Sequence, residues 1–307
     1  MMKCLVTGAS GFIGNALIQR LAQEEYQISA LIHTTPIKNK ISTVNYIKGD
    51  LTEPKSLEGI VEKDMIIFHC AGIVSDFAKP LMYDQIHVQG TKNIIRESKG
   101  LCKRFIYLSH LPYESKKSRH PYQISKQKAE SILLSEFQDN QFPLVIIRPG
   151  NVFGPNASTW VTRPLEAIRN KNIALINNGE GIFLHTYIDN LIDSLLLSAY
   201  ASNVEGEIIE ITDGDNSITW GVYLNDLADM ISKGPIKRSL SKPVAMFIGY
   251  LSMGLNRVFR MKPLVTPYAV EIFSNTHAVS IKKAQQLLGY WPKISYQQAM
   301  DRIKNSI

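Results

Sequence analysis

Over its first half, the chain alternates between two spacings of apolar residues. Cys4, Leu5 and Val6 form a short continuous run, and Ile13, Leu17, Ile18 and Leu21 follow at helical intervals. The exchange then repeats. A second strand is predicted at 27–32 and a third at 45–48, with a helix from about Pro54 leading to an apolar run at 65–72. That run suits a strand buried on both faces. A helix around 83–98 precedes a strand at 104–109, and a helix around 122–137 precedes a sixth strand at 144–148. Such alternation predicts an α/β fold, a doubly wound parallel sheet with helices on both faces. Beyond Pro149 the rhythm loosens, with one further strand at 208–211 and prolines at 235, 243, 263, 267 and 292. We therefore expect a nucleotide-binding domain over 1–155 plus about 182–212. A smaller substrate lobe is expected from about 156–181 and 213–307.

Between the first strand and the first helix stand Gly8, Gly11 and Gly14, spaced G-x-x-G-x-x-G. Gly8 lets the chain turn tightly off the strand. Gly11 lets a pyrophosphate lie against the backbone, and Gly14 lets the helix pack close to the sheet. The helix N-terminus offers free N–H groups and positive dipole charge to phosphates. Strand, glycine turn and helix together predict a dinucleotide site.

Composition changes this picture little. The net charge of +7, from 34 basic and 27 acidic residues, reads as excess spread along a solvated surface. Cys4, Cys70 and Cys102 form no C-x-x-C pair, and Cys4 and Cys70 fall in expected core strands. This suits a reducing, cytoplasmic setting. No leader is evident and no run of 18 apolar residues exists. The seven histidines lack metal-ligand spacing, so no metal is expected. No nucleic-acid motif is present, so the partner is expected to be a small molecule.

Tyr122-Gln-Ile-Ser-Lys126 adds a second signature. With the glycine turn, it resembles the short-chain dehydrogenase/reductase superfamily. The nearest likeness is to its extended branch of nucleotide-sugar epimerases and dehydratases, 3β-hydroxysteroid dehydrogenases and dihydroflavonol reductases. Further stretches agree along almost the whole chain: Thr7 to Gly14, Asp50-Leu51, His69-Cys70-Ala71-Gly72, and Val88-Gln-Gly90-Thr91-Lys-Asn93. So do Arg148-Pro149-Gly-Asn151-Val-Phe-Gly154-Pro155, His185 to Asn190, and the ending from Ser280 to Pro292. The resemblance implies a Rossmann-type domain binding NAD or NADP. It implies cofactor contacts from Gly8, Ser10, Gly11, Phe12, Ile13, Gly14, His33, Asp50, Leu51, Ala71 and Gly72, and from Tyr122, Lys126, Pro149, Asn151 and Val152. A homodimer through the helices around 83–98 and 122–137 is implied in the same way.

The chemistry can be read from the residues as well. Tyrosine ionises near pH 10, too high for a base. A lysine four residues on shares its helix face, and its charge favours the phenolate. Tyr122 can then exchange a proton with a substrate hydroxyl while hydride moves to or from the nicotinamide. Lys126 lowers the tyrosine pKa, and the resemblance implies that it also holds the nicotinamide ribose. A second Tyr-x-x-x-Lys, Tyr113 to Lys117, lies in a polar stretch with no apolar period after it and is set aside. The family's third member is normally Ser-Ser or Ser-Thr, but here it is Ser109-His110. Three readings stand: Ser109 acts, His110 acts, or the site is impaired. The first is favoured. His110-Leu111 replaces the Asp-Glu pair of the dehydratases, which argues against dehydration, and His87 replaces the family's asparagine.

No acidic residue ends the second strand, while His33, Lys38 and Lys40 follow it. This leans the cofactor toward NADP over NAD. The apolar stretch from Pro243 to Met253, flanked by Lys242, Arg257, Arg260 and Lys262, has three readings. It is the lid of a lipophilic pocket, a core helix of the small lobe, or a peripheral membrane contact. Arg163, Arg257 or Arg260 would alternatively bind a sugar-nucleotide diphosphate. The expected activity is interconversion of a secondary alcohol and a ketone on a steroid- or flavonol-like substrate. The alternatives are a nucleotide-sugar 4-epimerase with retained NAD and a non-catalytic NAD(P)-binding protein.

Overall fold

The computed structural model describes residues 2–24, 26–37, 39–112, 120–261 and 263–307. β1 (Lys3–Thr7) enters the glycine turn and α1 (Phe12–Gln23), followed by β2 (Gln27–Ile32), β3 (Val44–Lys48) and β4 (Met65–His69). The helix expected from Pro54 is only a single 3-10 turn, Pro54–Leu57. Gly59, at φ +72°, turns the chain out of helical geometry directly after it. The run expected at 65–72 stops as a strand at His69, so Cys70 is half-buried beyond the strand end.

The next helix starts at Pro80, earlier than expected, because proline pre-sets the first helical turn. It continues as α2 (Pro80–Tyr83), a π-helical segment Asp84–Gln89, and α3 (Gly90–Ser98). β5 (Cys102–Leu108), α4 (Pro121–Asn140) and β6 (Leu144–Pro149) come next, then β7 (Asn151–Phe153), α5 (Arg163–Arg169), β8 (Leu175–Ile176), β9 (His185–Tyr187) and α6 (Ile188–Tyr200). The chain ends through β10 (Ile208–Ile211), α7 (Trp220–Met230), β11 (Ser239–Leu240), α8 (Lys242–Phe259), α9 (Pro267–Phe273), α10 (Lys282–Leu288) and α11 (Tyr296–Lys304).

Seven strands form one parallel sheet in the order β10-β6-β5-β4-β1-β2-β3. The order reverses between β1 and β4. Their carboxyl ends, Thr7 beside His69, therefore open the crevice where ligands bind in sheets of this kind. Strand residues alternate between two cores. Cys4, Val6, Ile28, Phe68 and Ile106 face α1 and α6, whereas Leu5, Ile67, Phe105 and Ile146 face Ile94 and Ile95 of α3 and Ala129 and Leu133 of α4. The first core continues into Trp220, Tyr223, Leu227, Tyr290 and Ile303. The later segments thus pack onto the sheet's own core.

α8 departs from the core-helix reading. Of its 18 residues only Ala245 and Gly249 are buried.

Candidate active site

The first wall of the crevice is the glycine turn. Gly8 takes φ +69°, and a Cβ there would lie 2.7 Å from the Cα of Ala71, so the exits of β1 and β4 meet backbone to backbone. A Cβ on Gly14 would lie 2.3 Å from the Gly8 carbonyl oxygen. What Gly14 permits is therefore close packing of α1 against the turn itself. Gly11 is the N-cap of α1, with no side-chain cap and no acidic residue in the first turn. These uncapped N–H groups fit an anionic ligand such as a dinucleotide pyrophosphate. Ser10 and Gly11 line this turn, and Phe12 and Ile13 anchor the helix start by packing on the core.

The second wall is the end of β2 and β3. His33 Nε2 lies 3.2 Å from Asp50 Oδ2. Partial burial pushes the Asp50 carboxyl up, but the Thr52 N–H and hydroxyl, both donating at 2.8 Å, and the His33 charge outweigh it and hold it below its ordinary value. Leu51 is fixed from below: Asn93 Nδ2 donates to its carbonyl oxygen at 2.7 Å, and Gly90 leaves room for its side chain. Lys40 sits 5.4 Å over the Tyr46 ring, which occupies one of the cations expected to meet a phosphate. Lys38, Lys262 and the Tyr113 to Lys117 pair lie outside the described residues.

Behind the crevice runs a chain of buried polar groups that sequence reasoning did not find. The Ala71 N–H donates to Thr7 Oγ1, which lies 2.7 Å from His69 Nδ1. His69 Nε2 faces Thr91 Oγ1 at 3.1 Å, and the Thr91 hydroxyl donates to the His87 carbonyl oxygen. His87 Nε2 accepts the Ile73 N–H at 2.9 Å, so Nδ1 carries the proton and donates to Ser125 Oγ at 2.8 Å. The Ser125 hydroxyl donates in turn to the Tyr122 carbonyl oxygen. Burial, with the Lys126 charge behind it, pushes His69 down to about 3 and His87 to about 2, so both rings are neutral. The only sequence signal was His87 standing where the family has asparagine.

Tyr122 lies in the first turn of α4, which Pro121 opens, and Lys126 is one turn further. Burial pushes the Tyr122 phenol well above 10, and Tyr83 adds to it. Both influences raise it, contrary to the expected lowering by Lys126. The Lys126 ammonium instead donates to the Leu108 carbonyl oxygen at 2.8 Å and lies 4.8 Å from the Tyr107 ring centroid. Burial lowers Lys126 to about 8, with Glu130 and Cys70 opposing that shift. A Cβ on Gly72 would come within 3.6 Å of this ammonium.

The Ser109-His110 strand end is held by Ser109 N–H donating to the Ile147 carbonyl oxygen and Leu111 N–H to that of Pro149. Among the described residues, Ser109 Oγ and both ring nitrogens of His110 are shielded from solvent with no hydrogen-bond partner. Shielded polar atoms without partners are uncommon in folded proteins. The His110 ring lies 5.0 Å from the Tyr122 ring at 65°. Burial, then Lys126 and Arg148, lower His110 to about 3. Tyr83 and His87 flank Tyr122 edge-on, and Tyr268 of α9, stacked on His120 at 4.1 Å, lies 6.3 Å away. No sequence signal marked Tyr268. Asn151 is buried and Val152 half-buried in β7, just past Pro149. Arg163, Arg257 and Arg260 are exposed. Among the described residues no group of three potential metal ligands converges, and no helix is long and apolar enough to cross a membrane.

The glycine cradle at the switch point and the Tyr122–Lys126 helix over it define a dinucleotide-dependent enzyme of the extended short-chain dehydrogenase/reductase type. Residues 4–212 match the model of the NAD dependent epimerase/dehydratase family, and the chain belongs to that family. It is 26% identical to a 2-alkyl-3-oxoalkanoate reductase of Stenotrophomonas maltophilia, over 99% of both chains. It is also 26% identical to the decarboxylating sterol-4-alpha-carboxylate 3-dehydrogenase of Saccharomyces cerevisiae, over 97% of this chain and 95% of that one. The fold matches that of UDP-glucuronic acid 4-epimerase from Bacillus cereus, solved in complex with NAD, with a TM-score of 0.75 and 22% identity over 99% and 98% of the two chains.

Proposed function

We propose that the chain interconverts a secondary alcohol and a ketone on a lipophilic 3-hydroxy or 3-oxo acid, using an exchangeable nicotinamide cofactor. The observation that carries this reading is the polar cluster beside the Tyr122 ring, Ser109 Oγ and the His110 nitrogens, which have no hydrogen-bond partner among the described residues. The two similar enzymes support the substrate class, because both names put the reacting oxygen on C3, directly next to the carbon that bears a carboxylate.

When bound, the cofactor supplies the hydride acceptor or donor. The protein's residues handle the proton and the oxygen. On reduction the protonated Tyr122 phenol gives its proton to the substrate oxygen; on oxidation it accepts the hydroxyl proton as the phenolate, the form that the Lys126 charge would favour. Neutral His110 can donate one N–H to the substrate oxygen. Its ring contact with Tyr122 makes it the preferred third member in this proposal, in place of Ser109, which remains a second donor. Lys126 supplies a fixed positive charge beneath the crevice. Gly8 to Gly14 would hold the pyrophosphate, and Asp50, Leu51, Ala71, Gly72, Pro149, Asn151 and Val152 would line the rest of the cofactor's path.

His33 at the end of β2 supports a preference for NADP, because a 2′-phosphate can take the ring from Asp50. We assign substrate binding to about 156–181 and 213–307, and a homodimer to the faces of α3 and α4. Sizing of the purified protein tests the dimer. The function is tested by following reduced cofactor with a series of long-chain 3-oxo acids.

A further inference from the structure

The face of α8 directed away from the fold is apolar. Its buried positions, Ala245 and Gly249, pack inward: Ala245 meets Ile176 and Val270, and a Cβ on Gly249 would lie 2.9 Å from the Pro267 nitrogen. On the other side, Val244, Phe247, Leu251, Leu255 and Val258 recur three and four residues apart, which puts them on one stripe. All five are exposed, Phe247 at 70% and Val258 at 71%. Phe259 at the helix end and Met261 and Leu264 just past it are each more than half exposed. Isolated exposed apolar residues are ordinary, but a continuous stripe of this size marks a contact surface.

The charge around this stripe identifies what it contacts. Residues 230–270 contain seven basic residues, Lys233, Lys237, Arg238, Lys242, Arg257, Arg260 and Lys262, and no acidic one. This segment alone accounts for the whole chain's net charge of +7. In sequence the excess is therefore concentrated in the segment that contains α8, contrary to the even spread read from the totals. An apolar helical stripe in a segment rich in lysine and arginine, and free of carboxylates within that segment, matches the surface of an anionic bilayer. There the acyl boundary takes the apolar side chains and the phosphate headgroups take the cations.

We propose that α8 and the turn after it dock the enzyme on an anionic phospholipid membrane. The docked helix sits one packing layer from the site. Gly249 touches the start of α9, whose Tyr268 lies beside Tyr122, and Thr266 donates to Asp76 in the loop after β4 at 2.8 Å. Docking therefore brings the catalytic crevice close to the bilayer. The inference stands on surface chemistry alone and does not depend on the reaction assigned above.

The test is co-sedimentation of the full chain with vesicles of phosphatidylcholine alone and with added phosphatidylglycerol. The wild type is expected to pellet with the anionic vesicles and to be released by salt. The Phe247→Glu/Val258→Glu double variant is expected to lose about tenfold in bound fraction. If those glutamates impair folding, the Lys237→Gln/Arg257→Gln variant provides the second reading, with weaker binding and a shallower salt dependence. A wild type that stays in the supernatant overturns the proposal, as does a folded glutamate variant that binds equally well. So does a finding that the stripe only joins two copies of the chain, with the glutamates turning a dimer into a monomer and no vesicle binding.

Discussion

The rings of His110 and Tyr122 meet edge to face at 5.0 Å, and neither His110 nitrogen has a partner among the described residues. This relationship separates the two candidates at the strand end. We expect His110→Ala to reduce kcat by about 10²-fold, within the usual range for losing one positioned donor. Ser109→Ala should have the smaller effect. Because burial keeps the His110 ring neutral down to about pH 3, the wild-type profile should show no limb near the ordinary histidine value. A larger loss in Ser109→Ala would return the role to the serine.

Lys126 predicts a pH dependence of both activity and stability. Burial lowers its folded value from 10.5 to about 8. The free enzyme should therefore lose activity as pH rises through about 8, when the ammonium loses its charge. Stability changes in the opposite sense. The unfolded chain holds this proton up to 10.5, so the cost of burying the charge is fully present below about pH 8 and is relieved between about 8 and 10.5. Lys126→Met should abolish turnover and yet raise the melting temperature at neutral pH, by the equivalent of about 1–3 kcal/mol. Thermal denaturation at pH 7 and pH 10 measures it, with the gain shrinking at the higher pH.

His87 joins the Gly72–Ile73 exit of β4 to the Tyr122 helix through one ring, and both of its nitrogens are used. His87→Ala leaves the Ile73 N–H without its acceptor, at a cost of about 1–3 kcal/mol. It should also loosen the cofactor wall, raising KM for cofactor more than it lowers kcat. His87→Asn should recover part of that loss. Equal effects on KM and kcat would mean that the ring acts elsewhere.

His33 tests cofactor choice. If a 2′-phosphate displaces Asp50 from the ring, His33→Ala should weaken NADPH binding about tenfold and leave NADH unchanged. Tighter binding of NADH by the wild type would reverse the assignment.

The fold was legible because each parallel strand is a compact apolar run and each following helix keeps its period, as in Cys4 to Val6 followed by Leu17 and Leu21. The glycine cradle was legible for the same reason: only glycine fits where Gly8 meets Ala71 and Gly14 meets Gly8. The helix expected from Pro54 was not a helix, since a proline start says nothing about the Gly59 that ends it. The Thr7–His69–Thr91–His87–Ser125 chain was illegible, because its members are scattered over more than a hundred residues and meet only through strand order. Tyr268 is further still from Tyr122 in sequence, and only the packing of α9 brings the two rings together. For α8, the apolar spacing was visible but not which side it faced. A buried helix and one with its apolar side at the surface share that period, and only exposure tells them apart.

The most direct test of the proposed reaction is turnover of a long-chain 3-oxo acid with NADPH or NADH, comparing the wild type with Tyr122→Phe. The account predicts steady consumption of reduced cofactor by the wild type and a loss of about 10²–10⁴-fold in the variant, with the fold intact. Equal rates in the two proteins would contradict it. So would a wild type inert toward 3-oxo acids that instead epimerises a nucleotide sugar with no net change in cofactor.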